Sequence, residues 1–120
     1  MKVLVVTRRP AFWDALRSCF DSHGAGLCTT ETLEEGLGVI RGGKVALAVL
    51  DTGSDIAALR KSVMDILTVN AMTNVASVSG MGEEMFHDAM EGLGMIMDLP
   101  LEPEEADVAR LLEALKVILG

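Results

Sequence analysis

The stretch Val45-Ala46-Leu47-Ala48-Val49-Leu50-Asp51 decides the fold. Its apolar residues run without interruption and end on one carboxylate. A strand with no polar alternation is buried on both faces, as strands at the centre of a parallel sheet are. On either side, apolar runs of strand length alternate with segments of helical periodicity, the pattern of repeated βα units. Toward the N-terminus a first strand covers 2–6 and a weaker second lies near 27–29; toward the C-terminus a fourth covers 75–79 and a fifth 94–97.

The intervening helices are marked by caps and stripes. The first opens at Pro10, suited to the first helical position, and stops near Gly24. The second has Thr32 and Glu35 as a capping box, Leu33, Leu37 and Ile40 on one face, and Gly42-Gly43 at its end. The third takes Ser54 as its cap and carries Ile56, Leu59, Val63, Ile66 and Leu67. The fourth follows Gly82 with Met85, Phe86, Ala89, Met90 and Leu93, and the fifth runs over 103–119 around Val108, Leu111, Leu112, Leu115 and Leu119. Five βα units with right-handed crossovers close as a doubly wound α/β sheet, expected in the flavodoxin-like order 2-1-3-4-5.

The 120 residues fit one domain over 1–120, long enough to bury a core without disulfides. Cys19 and Cys28 lack metal-ligand spacing and are expected as half-buried thiols. A net charge of -8 argues against nucleic acid and anionic membranes as partners. No apolar run approaches the ~18 to 20 residues of a bilayer span, and the N-terminal run is too short for a leader, so a cytoplasmic location is expected. Trp13, Phe12, Phe20 and Phe86 are the whole aromatic content, too little for a base-stacking platform. His23 and His87 have no metal-ligand companions and are expected at the surface; no Ser-His-Asp or Cys-His arrangement is suggested, so hydrolytic catalysis is not expected. Gly80-Met81-Gly82 lacks the rest of a nucleotide fingerprint, and Glu83-Glu84 would repel phosphate.

In a doubly wound sheet ligands sit at the carboxyl ends of the strands. Those ends carry Thr7 and Arg8, Asp51, Ser79, and residues 98–100. Together with Gly92-Leu93-Gly94-Met95-Ile96-Met97-Asp98-Leu99-Pro100-Leu101-Glu102-Pro103-Glu104-Glu105, they make the chain resemble the chemotaxis-type receiver domain of bacterial two-component response regulators over its whole length. The resemblance implies that Asp51 stands at the phosphoacceptor position, Ser79 and Ile96 at the switch positions, and Pro100 at the proline that follows a lysine. It also implies that Thr7-Arg8 replaces the acidic pair that helps hold Mg²⁺, and that Leu99 replaces the lysine. Phosphoryl transfer rests on positioning and charge stabilisation, so a site lacking these groups is expected to be degenerate, with no metal or other cofactor and no enzymatic role.

Charge at the first helix agrees. The other four helices place acid in or near their first turns, where the dipole favours it, whereas Arg8 and Arg9 precede Pro10. The expected remedy is that the Arg8 guanidinium fills the space of the metal and pairs with Asp51. The resulting reading is a pseudo-receiver that signals through protein contacts, with a histidine kinase or downstream signalling protein as partner. Two alternatives are a working receiver phosphorylated on Asp51, and a small anion-binding module built on Arg8 and Arg9. Met90, Met95, Met97 and Leu101, with Leu99, suggest an apolar interface on the strand-five side and a homodimer.

Overall fold

The computed structural model describes residues 1–53 and 55–120. The chain forms strands β1 (Lys2–Thr7), β2 (Gly26–Thr30), β3 (Val45–Asp51), β4 (Asn74–Val78) and β5 (Asp98–Leu99). Helices α1 (Pro10–Asp14), α2 (Arg17–Ser22), α3 (Leu33–Arg41), α4 (Ile56–Val69), α5 (Glu83–Ala89) and α6 (Glu105–Leu119) connect and follow them. The sheet is parallel throughout, in the order β2-β1-β3-β4-β5.

The two-residue period of a strand divides the core. Val3 and Val5 of β1, with Leu47 and Val49 of β3, face Trp13, Phe20, Leu111, Leu112 and Leu115 from α1, α2 and α6. Leu4 and Val6, with Ala48 and Leu50, face Ile40, Leu59, Val63, Ile66 and Phe86 from α3, α4 and α5. The central strands therefore read as unbroken apolar runs because both faces are covered.

The Thr32 and Glu35 capping box is present. The Ser54 cap lies outside the described residues; α4 is capped by Asp55, whose carboxylate accepts from the Ala58 amide at 2.8 Å. Three expectations are corrected. The first helix is two: at Ala15 and Leu16 the chain tightens, with the Leu16 amide donating to the Trp13 carbonyl at 2.9 Å, giving six helices. No glycine or proline marks that break, whose outcome is that Trp13, Leu16 and Phe20 all enter the core. The last strand is centred on Asp98–Leu99 rather than 94–97, although the Ile96 amide already donates to the Val75 carbonyl at 2.9 Å. The last helix starts at Glu105, not Pro103, because Glu104 is its cap: the Glu104 amide donates to the Asp107 carboxylate at 2.8 Å.

Candidate functional site

Register brings the ends of β1 and β3 together, pairing Thr7 with Asp51. The Asp51 carboxylate, 9% exposed, accepts from three side chains. Oδ2 takes the Thr7 hydroxyl at 2.8 Å, Arg9 Nε at 2.7 Å and Trp13 Nε1 at 2.8 Å. Oδ1 takes Arg9 Nη2 at 3.2 Å. Burial alone would raise the Asp51 pKa; the hydrogen bonds from Arg9, Trp13 and Thr7 and the Arg9 charge outweigh it and hold the carboxyl below its ordinary value.

The partner is thus Arg9, not the expected Arg8. Side chains alternate along extended chain. Thr7 turns toward Asp51, Arg8 turns away into a recess beside Thr29, Thr30 and Glu31, and Arg9 returns. Three further contacts fix Arg9. Its amide donates to Thr7 Oγ1 at 3.0 Å, its guanidinium lies 4.1 Å from the Phe12 ring centroid, and Nη2 donates to the Leu101 carbonyl at 2.6 Å. One guanidinium therefore ties β1, β3 and the loop before α6. That use removes Arg9 from the expected anion-binding pair, and Arg8 is left exposed beside a carboxylate.

Trp13 was not foreseen as a site residue. The signal lies in its chemistry, since a buried indole N–H requires an acceptor. As the only tryptophan, fully buried at the first turn of α1, it finds that acceptor in Asp51.

A second carboxylate organises the far side of the sheet end. Asp98 Oδ1 accepts from the Ser77 hydroxyl at 2.6 Å, the Ser79 amide at 3.0 Å and the Ser79 hydroxyl at 2.7 Å, while Oδ2 accepts from the Met81 amide at 3.1 Å. Ser79 is therefore tied to Asp98 rather than to Asp51. Ile96 is half-buried against the β-sheet core beside Met97. Pro100 is exposed and follows Leu99, which is fully buried, so Leu99 belongs to the core and not to an exposed patch. Met90 is corrected likewise: at 4% exposure it packs with Phe86 and Ile66. Met95 and Met97 are half-buried, and Leu101 is exposed.

The residues present do not fit Mg²⁺. The ion needs an oxygen array that usually includes one or two carboxylates. The flanking positions are Thr7 and Arg8, the Asp51 carboxylate is already covered by a cation, and both oxygens of Asp98 are taken by Ser77, Ser79 and Met81. Among the described residues no group of three or more His, Cys, Asp or Glu side chains could hold a metal.

The sequence matches no protein-family model and no curated protein. Solved structures match the fold across nearly the whole chain. A two-component response regulator from Clostridium difficile aligns with a TM-score of 0.77 at 14% identity, covering 100% of this chain and 98% of that one. HP1043, an orphan response regulator of H. pylori, gives 0.74 at 17% identity over 96% of each chain. The beryllofluoride-activated NtrC4 receiver domain dimer gives 0.76 at 22% identity, over 97% of this chain and 93% of that one. The fold is that of CheY-like response-regulator receiver domains.

Proposed function

We propose that this chain is a signal-transduction domain of receiver fold that works through contacts with protein partners, without Mg²⁺-dependent phosphorylation of Asp51. One observation carries the reading: the Asp51 carboxylate is engaged on both oxygens, with Arg9 bound to both. A carboxylate that attacks phosphorus needs a free lone pair and a cation beside the incoming phosphoryl oxygens. Here Oδ2 already accepts three donors and Oδ1 a fourth. The neighbouring cation is bound to the nucleophile itself, which lowers its nucleophilicity and leaves that cation engaged with Asp51 rather than with an incoming phosphoryl group. Leu99, buried where the family carries a lysine, offers no charge to steady a transferred group. The domain has no enzymatic role in this reading.

The partners are proteins, a histidine kinase or downstream signalling protein among them. A cytoplasmic setting is part of the proposal; among the described residues no helix is long and apolar enough to cross a membrane. The NtrC4 receiver is a dimer, and homodimerisation here would use the β5 side, where Leu101 is 60% exposed. Sedimentation velocity at high micromolar concentration should show a dimer; a lone monomer removes that part of the reading.

The deciding experiment exposes the protein to acetyl phosphate with millimolar Mg²⁺ and measures intact mass. No phosphoryl adduct is expected, and Mg²⁺ alone should leave Trp13 emission unchanged. An adduct lost in Asp51→Asn would overturn the reading in favour of a working receiver.

A further inference from the structure

A groove lies where the start of α4 meets α5, on the side of the sheet away from α6. Its volume is about 750 Å³, within the ~300 to 1,000 Å³ of sites that take a compact ligand or a set of anchoring side chains. The floor is apolar, made by Ile56, Met81, Met85 and Ala89. Helical spacing explains why it stays open. Phe86 and Met90 turn inward and Ala89 is half-buried against the same core, so Met85, one residue before Phe86, is the side chain of this helix that turns outward over the groove. Ile56 is 43% and Met85 54% exposed, an arrangement that folding does not require.

The rim carries Glu83, Glu84 and Asp88. Among the described residues none of the three makes an ion pair. Glu83 and Glu84 occupy the first turn of α5, where the helix dipole favours them. Asp88 sits in the last turn, where the dipole opposes a carboxylate, so helix stability does not account for it. Arg60 forms no ion pair with them; its Nη1 donates instead to the Ala89 carbonyl at 2.6 Å. The groove is also held in shape: Asp98 grips the Met81 amide and Arg60 grips the end of α5. A preformed site avoids the ordering cost of binding.

We propose that this groove docks a basic amphipathic helix of a partner protein, with apolar residues at i, i+4 and i+7 against Met81, Met85, Ala89 and Ile56 and lysine or arginine flanking them toward Glu83, Glu84 and Asp88. The ridge formed by Met85 and Ala89 suits helix-on-helix packing, and methionine adapts to more than one apolar shape. The inference deepens the reading that the domain acts through protein contacts, and it does not depend on whether Asp51 takes phosphate.

The test uses the protein with ¹³C-methyl-labelled methionine and a synthetic helical peptide carrying leucine at i, i+4 and i+7 and lysine elsewhere. A second peptide replaces every lysine with glutamate. The expected result is saturable shifts of the Met81 and Met85 methyls with the lysine peptide only. Glu84→Lys with Asp88→Lys should weaken binding at least tenfold, and Met85→Ala several-fold. Glu31→Lys with Glu113→Lys makes the same change in net charge on exposed residues away from the groove and should alter binding less than twofold. Three results overturn the proposal: no saturable shift, shifts centred on Met95 and Met97, or equal weakening by both charge-reversed proteins. A phosphoryl adduct on Asp51 would refute the inert-site reading and leave this result standing; failure here would leave the Asp51 argument untouched.

Discussion

Removing Arg9 and Asp51, singly and together, measures the bond on which the site is built. The pair joins a side chain 35% exposed to one 9% exposed, at 2.7 Å. Exposed pairs contribute ~0.2 to 1 kcal/mol, and breaking a buried one costs ~3 to 5. Arg9→Ala leaves Asp51 its bonds from Thr7 and Trp13, so the carboxylate is not orphaned. The loss should be about 1 to 2 kcal/mol. Asp51→Ala strands a buried indole N–H, a hydroxyl and a guanidinium, and should cost more, about 2 to 4 kcal/mol. The double variant should fall short of the sum by about 1 kcal/mol or more, because either single change already breaks the pair. Arg8→Ala should change stability by less than about 0.5 kcal/mol. Urea denaturation at neutral pH and low salt gives all four values. Losses that add to within ~0.3 to 0.5 kcal/mol, or an Arg8→Ala loss equal to that of Arg9→Ala, would refute the argument.

The same carboxylate sets a pH signature. Its folded pKa is depressed, so its stabilisation is fully present above the unfolded value near ~3.9 and disappears as pH falls through the lower folded value. The stability gap between the wild type and Asp51→Asn should stay constant from about pH 7 to 5 and shrink below about pH 4. A gap independent of pH down to the acid transition would contradict the assignment. Asp98→Ala removes the acceptor of four hydrogen bonds and should cost about 2 to 4 kcal/mol, with faster amide exchange at Ser79 and Met81 in particular; unchanged exchange there would show that the loop is held otherwise. Within α3, two glycines should respond oppositely to alanine. A Cβ at Gly36 would stand 3.0 Å from Val6 Cγ2 and 3.3 Å from Leu4 Cδ2, so Gly36→Ala should lose about 1 to 2 kcal/mol despite better helix propensity. Gly38 faces open space, so Gly38→Ala should gain about 0.5 to 1 kcal/mol, both changes being read by urea denaturation.

What the sequence disclosed follows from which forces act locally. The unbroken apolar run of β3 and the helical stripes of α3, α4 and α6 report burial directly and make the alternation of strands and helices legible. The order 2-1-3-4-5 rests on the further choice of the flavodoxin-like arrangement among doubly wound sheets, and the sheet has that order. β5 was displaced because its pairing is not set by apolar content. Asp98, a polar residue that ends the apolar run 94–97, anchors the strand through Ser77 and Ser79, contacts 21 and 19 residues away. Asp51 was legible as the centre of the site and a cationic partner was foreseen. The choice between Arg8 and Arg9 turned on carrying strand alternation past the end of β1, where Thr7 already faces the carboxylate. Met90 was misplaced because a methionine stripe does not say which of its members turns inward; the α5 contacts do.

The Arg9 clasp also bears on the order in which the molecule assembles. Its bonds span long stretches of chain, 42 residues from Arg9 to Asp51 and 92 from Arg9 to Leu101, and the neighbouring Trp13 to Asp51 bond spans 38. Contacts so distant must await the pairing of β1 with β3, since closing those loops costs entropy before the polar bonds repay it. A partly exposed ion pair contributes little until its geometry is fixed. The clasp therefore belongs to the native side of the folding barrier, and its strength is expressed as slow escape from the folded state rather than fast arrival. On the proposed reading of a domain that works through protein contacts, a bond placed there would lengthen the time the docking surface persists between encounters.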